Sequence, residues 1–163
     1  SADPNPSKAK VFWFFCEITP EVAPWAFDKI SPKRKIAALE LLGSIVLVHL
    51  MFQTLGIGKM EVRFSLSTDN QGNSFAWAKR SARKWPNCAL MMELCAQELS
   101  TGIRCAMGHV KRDQNTWADD LSNKKVQGFT EAFCLGKDSS VFPKWLVFQK
   151  ILDLERAMVA SGT

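Results

Sequence analysis

The sequence predicts one mixed α/β domain, and three observations carry that expectation. Polar and apolar residues alternate over residues 60–68, the period of a half-buried strand, whereas residues 36–52 and 88–99 repeat at helical spacing. Segments of the two kinds follow one another as strand, helix, strand, helix, helix, strand, helix, the order of a layered α/β architecture. The 163 residues are the length of one domain, enough to bury about two thirds of the unfolded surface without staples.

Element by element, residues 1–9 (SADPNPSKA) are polar and Pro-rich and read as a flexible lead-in to a domain over 10–128. Residues 11–18 (VFWFFCEI) are dense in aromatic and β-branched side chains and end before Pro20, which predicts a buried strand. A second short extended piece is expected over 25–30. Ser31-Pro32 places a capping hydroxyl before a Pro at the first helical position, so a helix is expected from there to about Leu55, where Gly56 and Gly58 stop it. Its most apolar stretch, 36–52, is interrupted by Glu40 and His49 and falls short of the ~20 apolar residues of a membrane span, so it reads as a buried helix with His49 packed in the core.

In the strand at 60–68, Val62, Phe64 and Leu66 alternate with Glu61, Arg63 and Ser65, and Asp69 stands at the carboxyl end. Residues 74–84 are weakly helical and basic, and 88–99 form a helix with Leu90, Met91, Leu94 and Leu99 as expected core. Gly102 ends it. A strand follows at 103–110, then a polar loop and a short helix over 115–121, with Trp117 expected as a core anchor and Asp120 facing solvent. Residues 129–163 form a C-terminal extension with one amphipathic helix, 143–159, packing through Trp145, Phe148, Ile151, Leu152 and Leu154.

The composition, 47% hydrophobic and 23% charged, excludes disordered and fibrous classes. A net charge of +5 favours polyanionic partners without choosing among them. Cys16, Cys88, Cys95, Cys105 and Cys134 are odd in number and form no CxxC pair, which argues against a zinc site or disulfide framework and favours free thiols in a reducing intracellular compartment. No charged-then-apolar leader is visible.

Three acidic residues fall on three different elements: Glu40 in the long helix, Asp69 at a strand end, Asp119 near the start of the short helix. Carboxylates distributed this way can converge on divalent metal. The blocks that carry them, IAALELLGSIVLV (36–48), FSLSTDNQGNSFAW (64–77) and IRCAMGHVKRDQNTWADDLSN (103–123), resemble the ribonuclease H-like domain of reverse-transcriptase-bearing mobile elements of the retrotransposon type. The last block is the most specific, with His109, Asn115, Ala118, Asp119 and Leu121 matching the H-x5-N-x-x-A-D-x-L type of ending.

The resemblance implies a ribonuclease H-like mixed sheet flanked by helices. It implies a nuclease, a magnesium-dependent hydrolase that cuts the RNA strand of an RNA–DNA hybrid within a reverse transcriptase polyprotein. Glu40, Asp69 and Asp119 would be the catalytic ligands of two Mg²⁺ or Mn²⁺ ions, and His109 would assist proton transfer or product departure. The family's first strand, with a fourth carboxylate, is missing or altered, since Asp3 and Glu17 stand in other contexts, and it is expected either in sequence outside this chain or to have been lost. The alternative is therefore a catalytically inert, domesticated fold serving as a nucleic-acid-binding or structural subunit. The basic residues Lys79, Arg80, Arg83 and Lys84, with Trp77 and Trp85 nearby, and Lys111 and Arg112 beside His109, are the candidate nucleic-acid contacts.

Overall fold

The computed structural model describes residues 6, 10–56 and 63–162. The rest of the lead-in, Asp3 included, and the first three residues of the alternating strand, 60–62, lie outside them. Among the described residues, five α-helices and four short strands make a mixed α/β architecture: β1 (Trp13–Phe14), α1 (Pro32–Leu55), β2 (Arg63–Thr68), α2 (Gln71–Lys79), α3 (Asn87–Thr101), β3 (Arg104–His109), α4 (Thr116–Ser122), β4 (Cys134–Gly136) and α5 (Phe148–Ser161).

The strands form two separate two-stranded parallel sheets, β2 with β3 and β1 with β4. β2 and β3 run in register from Arg63 opposite Arg104 to Thr68 opposite His109, so their carboxyl ends emerge side by side. The alternation in β2 works as the sequence suggests: Leu66 and Thr68 are buried, Ser65 and Ser67 exposed. On β3, Cys105 points to the same core, while Arg104, Ala106 and Gly108 are exposed. One face of this sheet is thus lined by small and polar side chains.

The core centres on α1, whose buried Ala38, Leu41, Leu42, Ile45, Val46 and Leu50 recur at three- and four-residue intervals and face α3 and the sheet. Pro32 opens the helix, although Ser31 makes no side-chain cap bond, and Gly56 closes it at a left-handed φ of 58°. At 24 residues α1 exceeds the apolar stretch expected, and by length and composition it would pass as a membrane span; here 33% of its most apolar window is buried inside the protein. α2 is fixed by Trp77, fully buried, whose indole Nε1 donates to the Cys105 carbonyl at 2.8 Å.

Four expectations need correction. Residues 24–27 form a 3-10 turn instead of an extended piece, started by Pro24 and burying Trp25 and Ala26. The aromatic strand at 11–18 narrows to Trp13–Phe14, because its partner is the short β4 from the far end of the chain. The last helix starts at Phe148 and not at Pro143. Its start is set by Glu93 of α3, whose carboxylate accepts the Leu146, Val147 and Phe148 amides at 2.9, 2.8 and 2.8 Å. Leu99 and Leu154, expected in the core, are 87% and 65% exposed. Leu154 lies about 200° around α5 from the buried Leu152, on the other side of the helix.

The C-terminal segment adds Val141, Phe148 and Leu152 to the same hydrophobic cluster as α1 and α3.

Candidate functional site

Parallel strands deliver their carboxyl ends to one side of the sheet, and in open α/β sheets that is where ligands sit. Thr68 ends β2 and Asp69 follows it. The alignment persists one residue beyond the strands, where the Val110 amide donates to the Thr68 carbonyl at 2.9 Å. The loop after β3 therefore passes Asp69, and Arg112 on it reaches across, Nε to Asp69 Oδ2 at 3.3 Å. Behind Asp69 runs α1, with Glu40 directed at the same place. Asn70 links the two: its Oδ1 accepts the Asn73 amide at 3.2 Å as the N-cap of α2, and its Nδ2 donates to Glu40 Oε2 at 2.8 Å.

Glu40, Asp69 and Arg112, with Asn115 and Asp119 from the segment after β3, line a cleft of about 370 Å³. Residues 29 and 50 positions apart in sequence, Glu40, Asp69 and Asp119, thus border one cavity. Burial pushes the Glu40 carboxyl above the usual glutamate range; the Asn70 hydrogen bond opposes this, the Asp69 charge adds to it and the Arg112 charge opposes it.

Among the described residues, no three His, Cys, Asp or Glu stand close enough together to form a metal-ion ligand group. The donors are nevertheless of the right chemistry for a hard divalent cation: carboxylate oxygens from separate elements around an open cleft, two of them repelling each other.

His109 ends β3, exposed, and is not among the residues that line the cleft. Lys111 is exposed on the same loop. Asp120 does not line the cleft and lies 3.8 Å from Lys125 Nζ. Glu17 pairs with Lys124 at 3.1 Å on the surface. Trp117 is half-buried, outside the main core.

The basic segment after α2 divides. Lys79, Arg83 and Lys84 are exposed, whereas Arg80 turns inward. Its guanidinium meets Glu98 at 2.7 Å and 3.0 Å, the Cys105 carbonyl at 2.7 Å and the Trp77 carbonyl, and lies over the Trp77 ring. Trp77 itself is fully buried, so its ring offers no stacking surface to a base. His49 is half-buried in α1, and burial lowers its pKa from the usual range.

Sequence reasoning passed over Asn70 and Glu93. The D-N-Q-G string does signal a cap, but nothing local to it announces a bond to a side chain 30 residues earlier.

No family model, curated protein or solved structure matches the chain.

Proposed function

We propose that the chain is a ribonuclease H-like domain that hydrolyses the RNA strand of RNA–DNA hybrids as part of a retroelement polyprotein. The observation that carries this reading is the cleft: Glu40, Asp69 and Asp119, singled out by motif from three separate elements, line one cavity at the carboxyl ends of β2 and β3. Glu40 and Asp69, with Asp119 from the opposite segment, would hold Mg²⁺ or Mn²⁺. A bound divalent cation supplies Lewis-acid stabilisation of the phosphoryl oxygens and a more acidic water.

The chain's own groups do the remaining work. Asn70 orients Glu40, Lys111 and Arg112 attract the phosphodiester, and Asn115 gives the cleft a neutral hydrogen-bonding wall. His109, at the exposed end of β3 beside this loop, would assist proton transfer or product departure. Exposed Lys79, Arg83 and Lys84 extend the basic surface on which a duplex would lie.

The test is cleavage of a labelled RNA–DNA hybrid in Mg²⁺ or Mn²⁺ by the wild-type chain and by Asp69→Asn. The variant should keep its far-UV circular dichroism and lose turnover. Equal cleavage by both proteins would refute the assignment.

A second reading, a catalytically inert nucleic-acid-binding or structural subunit, is favoured by one observation: Asp69 is paired with Arg112 and Glu40 is bonded to Asn70, so two of the three carboxylates already have partners within the chain. Hybrid binding by the wild type without turnover under any divalent condition would select it.

A further inference from the structure

Arg112 occupies an unusual position for a nucleic-acid contact, because its guanidinium engages a carboxylate of the cleft it would serve. The pairing is a single contact from Nε to Asp69 Oδ2 at 3.3 Å. Charge-assisted N–H···O bonds commonly measure about 2.7–2.9 Å and arginine–carboxylate pairs are often bidentate, so this one is long and one-pronged. The two side chains are differently placed: Asp69 is 16% exposed and Arg112 78% exposed. The anion is largely buried in the wall, and the cation reaches it from solvent on a long stem. An exposed pair of this kind is easily exchanged.

The charges around the cleft give that exchange a consequence. Glu40, Asp69 and Asp119 are three potential negative charges on one cavity, and Arg112 is the cation among its lining residues. With Arg112 on Asp69, the guanidinium neutralises part of the cleft but holds Nε away from a phosphate. With Arg112 removed and nothing in exchange, the carboxylates repel a phosphodiester. A divalent cation at Asp69 takes over the guanidinium's role and frees Arg112, whose fork of N–H donors matches a phosphate bidentately.

Resting on the reading of this cleft given above, we propose that Arg112 is an internal counter-ion that is exchanged between Asp69 and a phosphodiester, so that a divalent cation and nucleic acid bind the cleft cooperatively. Coupling of this kind is reciprocal: each ligand tightens the other by the same factor. Lys111, its neighbour, is exposed and does not line the cleft, so it contributes general attraction without the exchange.

The experiment measures Mn²⁺ affinity by titration calorimetry, with and without a short, uncleavable 2′-O-methyl RNA–DNA hybrid, for the wild type, Arg112→Gln, Lys111→Gln and Asp69→Asn. Arg112→Gln should bind Mn²⁺ alone about two- to fivefold more tightly than the wild type, the scale of a surface ion pair. Lys111→Gln, with the same change of net charge, should bind it within about twofold of the wild type, since a solvated charge outside the cleft is screened. The hybrid should tighten Mn²⁺ binding by the wild type and by Lys111→Gln, and this gain should be smaller in Arg112→Gln, where only direct neutralisation of the carboxylates by Mn²⁺ remains.

Wild-type Mn²⁺ affinity in Arg112→Gln, or an intact hybrid-dependent gain, would overturn the counter-ion role while leaving the cleft assignment standing. Unchanged Mn²⁺ affinity in Asp69→Asn would overturn the cleft assignment and the counter-ion role together.

Discussion

Glu93→Gln changes one atom of a fully buried side chain and should be among the most damaging single substitutions in the domain. The Glu93 carboxylate is 0% exposed. Its Oε1 accepts from the Leu146 amide at 2.9 Å and from Gln97 Nε2 at 2.6 Å, and its Oε2 accepts from the Val147 and Phe148 amides at 2.8 Å each. These amides open α5, where the helix dipole also favours a negative charge. Gln presents one oxygen and one NH₂. If the NH₂ replaces Oε2, two backbone donors face another donor; if it replaces Oε1, one amide and the Gln97 amide do. Hydrogen bonds to charged groups contribute about 1.5–3 kcal/mol each, so loss of two corresponds to about 3–6 kcal/mol. Relief of a buried charge offsets part of this, leaving a net loss of about 3–4 kcal/mol. In a domain of this size that lowers the melting temperature by about 6–16 °C. Urea denaturation followed by far-UV circular dichroism reads the difference directly. An unfolding free energy within about 0.5 kcal/mol of wild type would show that Glu93 does not hold the start of α5.

Arg80→Ala should destabilise by about 2–4 kcal/mol, because it leaves the Glu98 carboxylate, 10% exposed, without its guanidinium and removes the Cys105 and Trp77 carbonyl contacts. Arg83→Ala, on the exposed side, should stay within about 0.5 kcal/mol in the same denaturation assay, and equal losses would contradict the inward placement of Arg80. Glu40 gives a pH test. Its folded-state pKa is raised, chiefly by burial, so the folded state binds the proton more tightly than the unfolded chain and the ionised carboxyl subtracts stability as pH rises through the unfolded value toward the folded one. Glu40→Gln, which retains an oxygen for Asn70, should therefore gain on wild type at neutral pH and lose that gain below about pH 4. An advantage independent of pH would contradict the assigned cause. Finally, Lys79→Ala with Lys84→Ala should reduce the salt dependence of hybrid binding, lowering the slope of log K against log salt by about 1–2. An unchanged slope would remove these lysines from the nucleic-acid surface.

The extent to which the fold was legible in the sequence follows from how local each signal is. The limits of α1 are written in Ser31-Pro32 and Gly56, those of α3 in its apolar period and Gly102, and the course of β2 in its alternation. Non-local pairings were not legible. β1 is two residues long because its partner is the three-residue β4, more than a hundred positions away, and the start of α5 depends on a carboxylate 53–55 residues earlier. The gathering of Glu40, Asp69 and Asp119 at one cleft was anticipated from motif, and the parallel register of β2 and β3 supplies the physical means. Arg80 was misread because a run of four basic residues looks uniform in sequence, whereas one left-handed residue at φ 52° turns a single member of it toward Glu98.

The bare side of the β2–β3 sheet carries a consequence for handling the protein. Parallel strands are ordinarily sandwiched between helical layers, yet here Ser65, Ser67, Arg104, Ala106 and Gly108 meet solvent, and among the described residues each strand has a single partner. Unsatisfied ladder edges beside short side chains give a neighbouring molecule little steric reason to stay away. A common positive charge of +5 repels copies from one another, and ions weaken that repulsion. Concentrated stocks should accordingly remain clear in dilute buffer and turn turbid as salt is raised, the reverse of the behaviour of proteins held together by opposite charges.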